Sequence, residues 1–319
     1  MNTNQNKQSY ALPIAMMFAL FFMIAFVTGL QNPMGVIVKN QFQASNLLSQ
    51  LGNFANFIAY AFMGIPAGLM LQKIGYKKTA LTAILVGIAG VAITFFSGKI
   101  ESFAVYLIGA FVGGFSMCML NTVVNPMLNT LGGEGKRGNQ LLQFGGTLNS
   151  MGATIVPVLV GYLMGDVAKA TISDANPALF LAIGIFVLAF IVLYSMSIPE
   201  PHIVAEKSTE KNTHSPLSFR HFVLGAIAIF VYVGVEVGIP NIANLYMTGD
   251  LQINATTAGT VVGTYWFLML VGRLTGGVLG SKFSSKSMLS FAAVLGLVFV
   301  LLAIFLPKDQ MVSMPVFQS

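Results

Sequence analysis

Charge is what this sequence has least of. Of 319 residues only 8% are Asp, Glu, Lys or Arg, where a soluble domain carries about 25%. That scarcity excludes an ordinary water-facing globular protein. Cysteine is scarcer still. Cys118 stands alone, so the sequence offers no internal disulfide and no cysteine-built metal cluster. Catalytic signatures are missing as well: there is no H-E-x-x-H, no cysteine cluster and no nucleophile elbow. Gly132-Gly133-Glu134-Gly135-Lys136-Arg137-Gly138 contains a Gly-Lys pair. It lacks the Walker glycine spacing and a Ser or Thr after the lysine. We therefore expect no enzyme, no ATP-driven pump, no cofactor and no metal site.

What the sequence has in abundance is long apolar runs. Hydrophobic residues make up 55%, gathered near 11–32, 50–72, 79–97, 102–128, 139–165, 177–197, 219–247, 254–281 and 286–306. A bilayer core requires about 20 mostly apolar residues per helix, and only helices or closed barrels satisfy their backbone there. Barrel strands would alternate over about 10 residues, which these runs do not. The fold class expected is an all-α polytopic membrane protein. The first run exceeds the ~7–15 apolar residues of a cleavable signal, and no small-residue cleavage site follows.

The net charge of +6 is a topology signal. Loops on the N-terminal side of the membrane hold Lys7, Lys73, Lys77, Lys78, Lys136, Arg137, Lys207, Lys211, Arg220, Lys282 and Lys286. Only Lys39, Lys99, Lys169 and Lys308 fall opposite. By the positive-inside rule the N-terminus is cytoplasmic. The partners expected are lipid and a small solute, with no nucleic acid.

Residues 198–218 are polar, charged and bounded by prolines, the composition of a flexible linker. The expected organisation is a six-helix bundle over 1–197, a cytoplasmic linker over 198–218 and three helices over 219–319. The halves repeat at an offset of 209 residues. Gly68 and Lys73 map onto Gly277 and Lys282, Gln43 onto Gln252, and Asn32 onto Asn241. Parallel six-helix repeats are one plan of secondary transporters. A complete carrier of this plan has twelve helices, so the sequence reads as nine of the twelve, a fragment lacking three at its C-terminus.

Among the acidic residues only Glu236 falls well inside an apolar run. An ionised group there costs at least about 2.5–3.5 kcal/mol. It is either an ion-coupling residue or a structural carboxyl bonded to a neighbouring helix. Pro240 removes the helical bond to the carbonyl of Glu236. Pro33 follows Asn32 and Pro126 follows Asn125, so prolines accompany polar residues on three helices. Broken backbone in a membrane is tolerated where it is buried or lines a cavity.

Amides are the other polar groups at depth. Asn121 and Asn125 share a helix face, as do Asn241 and Asn244, with Gln143 and Asn149 on the fifth run. Each amide offers two donors and an acceptor oxygen, which matches sugar hydroxyls. Trp266, the single tryptophan, either stacks on a sugar or serves packing or the interface. Arg273 either snorkels outward or gates. Gly109-x-x-x-Gly113, Gly161-x-x-x-Gly165, Gly272-x-x-x-Gly276 and Gly276-x-x-x-Gly280 permit close helix contact.

The segment Gly68 to Lys78 resembles the major facilitator signature G-x-x-x-D-[RK]-x-G-[RK]-[RK], with Gln72 in place of its acid. Four further segments are similar to the fucose and glucose/galactose permease family. They are Leu30-Gln31-Asn32-Pro33, Gly64-Ile65-Pro66-Ala67-Gly68, Asn121-Thr122-Val123-Val124-Asn125-Pro126 and Thr147-Leu148-Asn149-Ser150-Met151-Gly152-Ala153. The resemblance implies a two-bundle carrier that moves a monosaccharide by alternating access. It implies as well a monomer in a bacterial inner membrane, with symport driven by a proton or sodium ion. The substrate-binding residues implied are Asn32, Asn121, Asn125, Gln143, Asn149, Asn241 and Trp266, with Glu236 for ion coupling. The family has acids at the positions of Asn32 and Asn121; amides there are compatible with sugar binding but not with the family's route of proton coupling. A drug-like compound exporter on the same fold, or a non-transporting sugar sensor or degenerate carrier, remain the alternatives.

Overall fold

The computed structural model describes residues 10–133, 136–164, 170–200, 215–249, 251–253 and 255–305. Gly165 and most of the linker lie outside the described residues, as do the side chains of Asn32, Asn241 and Asn244. Helices account for all regular structure among the described residues. They are α1 (Ala11–Gln41), α2 (Asn46–Ser49), α3 (Leu51–Lys99), α4 (Phe103–Leu131), α5 (Arg137–Met164), α6 (Asn176–Ser195), α7 (Arg220–Gly249), α8 (Ala255–Leu279) and α9 (Ser285–Phe305).

Among the described residues, seven helices are long and apolar enough to cross a membrane by length and composition. Two features separate that number from nine runs. The second and third runs share α3, a single 49-residue element. Gly75 interrupts it with φ 83° and ψ 175°, a left-handed conformation that glycine adopts without steric cost. The expected loop is therefore a one-residue break. The fifth run forms α5, a 28-residue helix with Gln140, Gln143 and Asn149 among its apolar residues, which is not one of the seven. Pro33, Pro126 and Pro240 all lie inside continuous helices, so none of them ends its element.

Side-chain caps set the short connections. Ser45 accepts from the Leu48 amide ahead of α2, and Ser102 accepts from the Val105 amide ahead of α4. Before α6, Asp174 Oδ2 accepts from the Thr171 amide and hydroxyl, both at 2.8 Å, a capping box.

The chain divides into two compact units. One is Met1–Lys207 with Leu270–Lys282; the other is Ser208–Met269 with Phe283–Ser319. In the first, α1 packs on α5 and α4, while α3 packs on α4 and α6. Met17, Leu20, Tyr76, Ile84, Leu120 and Phe186 are fully buried in its core. Small residues bring α3 and α4 together, as the glycine spacing predicts. A Cβ on Gly90 would lie 2.7 Å from the Gly113 nitrogen, and one on Gly109 2.9 Å from the Thr94 nitrogen.

In the second unit, α9 has no buried residue among 21, and the apolar side chains of α7 are mostly exposed. A helix apolar on every side and yet exposed is suited to lipid contact. One pair of residues at the expected repeat offset shares a backbone state. Gln43 and Gln252, 209 residues apart, both take the left-handed conformation, with φ 50° and 54°.

Candidate functional site

The amides of α4 meet α3 at one polar node. Asn121 Nδ2 donates to the Tyr60 hydroxyl at 3.2 Å and to the Met117 carbonyl at 3.1 Å. One turn on, Asn125 Nδ2 donates to the Asn121 carbonyl at 2.9 Å and its Oδ1 at 3.4 Å. The Cys118 thiol approaches the Tyr60 carbonyl at 3.9 Å. Asn121 and Asn125, four residues apart, lie on one face of α4. Asn121 is half-buried and Asn125 exposed. At 1.5 Å per residue Asn121 lies about 15 Å from the C-terminal end of α4, well within a bilayer's depth.

The remaining amides are dispersed. Asn149 Nδ2 on α5 donates to the Phe21 carbonyl of α1 at 3.4 Å, so it joins two helices of the first unit. Gln143 is exposed, and its carbonyl accepts from Thr147 at 2.9 Å. Asn32 and Asn241 occupy α1 and α7, with their side chains outside the described residues. Of the amides expected to converge, the structure joins Asn121 and Asn125. A void of about 30 Å³ between α1, α3, α4 and α6, lined by Val27, Leu30, Val91, Thr94, Tyr106 and Gly109, is far smaller than the ~300 Å³ of a ligand pocket.

In the second unit the residue at Pro240 has no amide hydrogen to offer. The Glu236 carbonyl accepts instead from the Tyr265 hydroxyl at 3.0 Å. Tyr265 also meets the Trp266 ring edge-on, with centroids 5.4 Å apart. Glu236, Tyr265 and Trp266 are each half-buried. The aromatic pair is thereby tied to the helix turn that carries Glu236.

Arg273 does not snorkel. Its Nη1 donates to the Gly146 carbonyl at 3.1 Å and to Ser150 Oγ at 2.9 Å, anchoring the end of α8 on α5. Gln140 Nε2 reaches the Gly277 carbonyl at 3.1 Å, and Lys136 Nζ the Lys282 carbonyl at 3.1 Å. Gly277 leaves room for the Phe144 ring, which a Cβ would approach to 3.1 Å.

A second anchor forms where α3 breaks. Both carboxylate oxygens of Glu200 accept backbone amides, from Tyr76 at 2.6 Å and Lys77 at 2.9 Å. Those amides open the helical segment after Gly75, where a negative charge is favoured. Lys77 Nζ in return donates to the Tyr194 and Met196 carbonyls at the end of α6, at 2.8 and 2.6 Å. Glu200 thus supplies a carboxylate to the loop in which Gln72 replaces the usual acid.

Tyr60, Ser150 and Glu200 were not singled out by the sequence. A tyrosine deep within an apolar run, away from the interface where the residue is common, is the signal that marks Tyr60. Ser150 and Glu200 carry no comparable mark, because their partners are 123 and 124 residues distant.

The sequence profile of the Major Facilitator Superfamily matches residues 17–317. Over 310 residues the chain is 30% identical to a putative glucose/galactose transporter of Helicobacter pylori, covering 93% of this chain and 75% of that protein. It is 24% identical over 332 residues to the L-fucose-proton symporter of Escherichia coli, covering 94% of this chain and 74% of the symporter. Among solved structures, a variant of the E. coli fucose:proton symporter superposes with a TM-score of 0.75 at 22% identity. That match covers 93% of this chain and 78% of the other.

Proposed function

Since the chain belongs to the Major Facilitator Superfamily, we propose that it is a secondary active carrier moving a monosaccharide across the membrane by alternating access. The observation that carries this reading is the 30% identity, over nearly the whole chain, to a protein named a putative glucose/galactose transporter. The fucose-proton symporter relative keeps the substrate class at monosaccharides and supports ion-coupled symport. We place the carrier in a bacterial plasma membrane as a monomer, with a first bundle over 1–197, a linker over 198–218 and a second bundle over 219–319.

The hydroxyl-binding residues in this proposal are Asn121 and Asn125, supported by their shared node with Tyr60, together with Asn32, Gln143, Asn149 and Asn241. Trp266 supplies a stacking face. The coupling ion, a proton or sodium, is assigned to Glu236, because the acids implied at positions 32 and 121 are amides here. The test is uptake of labelled glucose, galactose and fucose into proteoliposomes, with and without proton and sodium gradients. Gradient-driven accumulation of at least one sugar, lost in Glu236→Gln while counterflow persists, is the expected outcome. Equal accumulation in Glu236→Gln at every pH and sodium level refutes the coupling role. No sugar uptake under any gradient refutes the function.

A further inference from the structure

The α3–α4 node has a hydrogen-bond polarity that the residue types alone do not reveal. A backbone carbonyl only accepts, so the Met117 carbonyl at 3.1 Å fixes which end of the Asn121 amide is nitrogen. The second hydrogen of that nitrogen goes to the Tyr60 hydroxyl. Asn125 is oriented in the same way by the Asn121 carbonyl at 2.9 Å. The donors of Asn121 are therefore consumed within the protein. The carboxamide groups left to a ligand are acceptor oxygens: the lone pair of Asn121 Oδ1 that Asn125 Nδ2 does not take at 3.4 Å, and Oδ1 of the exposed Asn125.

We propose that Tyr60 is a positioning residue that occupies the second amide hydrogen of Asn121 and leaves carboxamide lone pairs as the node's open groups, so that the node selects a sugar hydroxyl that donates a hydrogen bond. The inference rests on the monosaccharide-carrier reading and adds the direction of recognition to it. Tyr60 acts through Asn121, since its hydroxyl accepts the one Asn121 hydrogen that the Met117 carbonyl does not take. Removing that hydroxyl frees an N–H and lets the amide present a donor instead. An exposed amide at this depth is costly toward lipid, which favours a polar ligand on the open side of Asn125.

Matched deoxy and deoxyfluoro analogues distinguish the two polarities, because fluorine can accept weakly but cannot donate. In the wild-type protein, reconstituted in proteoliposomes, at least one ring position should show equal loss of competition for its deoxy and deoxyfluoro analogues. In Tyr60→Phe the KM should rise about five-fold, as expected for one hydrogen bond, with Vmax within two-fold. The deoxyfluoro analogue at that position should compete better than the deoxy analogue. Tyr60→Phe should add nothing to the KM of Asn121→Ala, the non-additivity expected of residues acting as a pair.

Wild-type competition in which every deoxyfluoro analogue matches its parent sugar overturns the inference, and requires no variant to fold. So does a Tyr60→Phe protein with unchanged KM and analogue pattern, or one whose KM effect persists fully in the Asn121→Ala background. Absence of uptake for any monosaccharide overturns the carrier reading itself, a result separable from the other three.

Discussion

Replacing Glu200 by alanine removes both acceptors from the amides that open the helical segment after Gly75. Those bonds are 2.6 and 2.9 Å long, and both lead to a carboxylate. A hydrogen bond to a charged group contributes about 1.5–3 kcal/mol, and an anion at a helix start adds about 0.3–1 kcal/mol. Glu200 is only half-buried, so water re-solvates the amides in part and the net loss falls to about 1–2 kcal/mol. For a chain of this size that lowers the unfolding midpoint by about 2–3 °C, measurable in detergent by thermal unfolding. Glu200→Gln, which keeps one acceptor oxygen and the shape, should fall between alanine and wild type. Hydrogen exchange gives the local readout: the Tyr76 and Lys77 amides should exchange faster while those of α4 hold. Lys77→Met breaks the return bonds to Tyr194 and Met196, so the double variant should lose less than the two single losses together. A Glu200→Ala protein that melts with wild type and keeps both amides protected would refute the anchor.

Three further outcomes rest on close contacts of the same kind. Gly90→Ala places a Cβ 2.7 Å from the Gly113 nitrogen and 3.0 Å from its Cα. The contact is with backbone, so α3 and α4 must separate, and thermal unfolding should show a loss of about 1–3 kcal/mol. Tyr265→Phe leaves the Glu236 carbonyl without its 3.0 Å donor and should cost about 1 kcal/mol; in a Pro240→Ala background the restored amide replaces that donor, and the same change should then be nearly silent. Ser150→Ala removes a 2.9 Å acceptor from the Arg273 guanidinium at a site where Ser150 is 2% exposed. Its expected loss is about 1–2 kcal/mol, with Arg273→Lys losing more because an ammonium does not reproduce the guanidinium fork.

The helices were legible because apolar length decides them. A run of about 20 apolar residues has one backbone solution in lipid, and α1, α4, α6, α7 and α9 fall where the runs do. The 209-residue offset read from the sequence pairs two glutamines that share a left-handed backbone state. The break in α3 was only half legible. Periodicity and polar residues at 72–78 predict an interruption, but only the φ of Gly75 shows that a single residue supplies it. Long-range anchors escape such reading altogether. Nothing near Glu200 in sequence indicates that the amides of Tyr76 and Lys77 will bind it, and Arg273 reads as a snorkelling cation until the α5 carbonyl and hydroxyl are placed beside it.

The polar groups of the candidate site show why counting donors from sequence overstates what a ligand will meet. In a low-dielectric setting an unmade hydrogen bond costs more than it does in water, so each polar atom takes the nearest protein partner first. For an amide on a helix that partner is the carbonyl four residues back, and Asn121 and Asn125 both take it, through Met117 and through Asn121 itself. The carbonyl of Glu236, deprived of its amide by Pro240, takes the Tyr265 hydroxyl across to α8. Donors are the scarcer resource, because backbone carbonyls retain spare lone pairs while amide hydrogens are already committed to the helix. The groups left over for a substrate are therefore biased toward acceptor oxygens. A polyhydroxylated solute, which brings a donor with every hydroxyl, is the chemistry that such a surface can select.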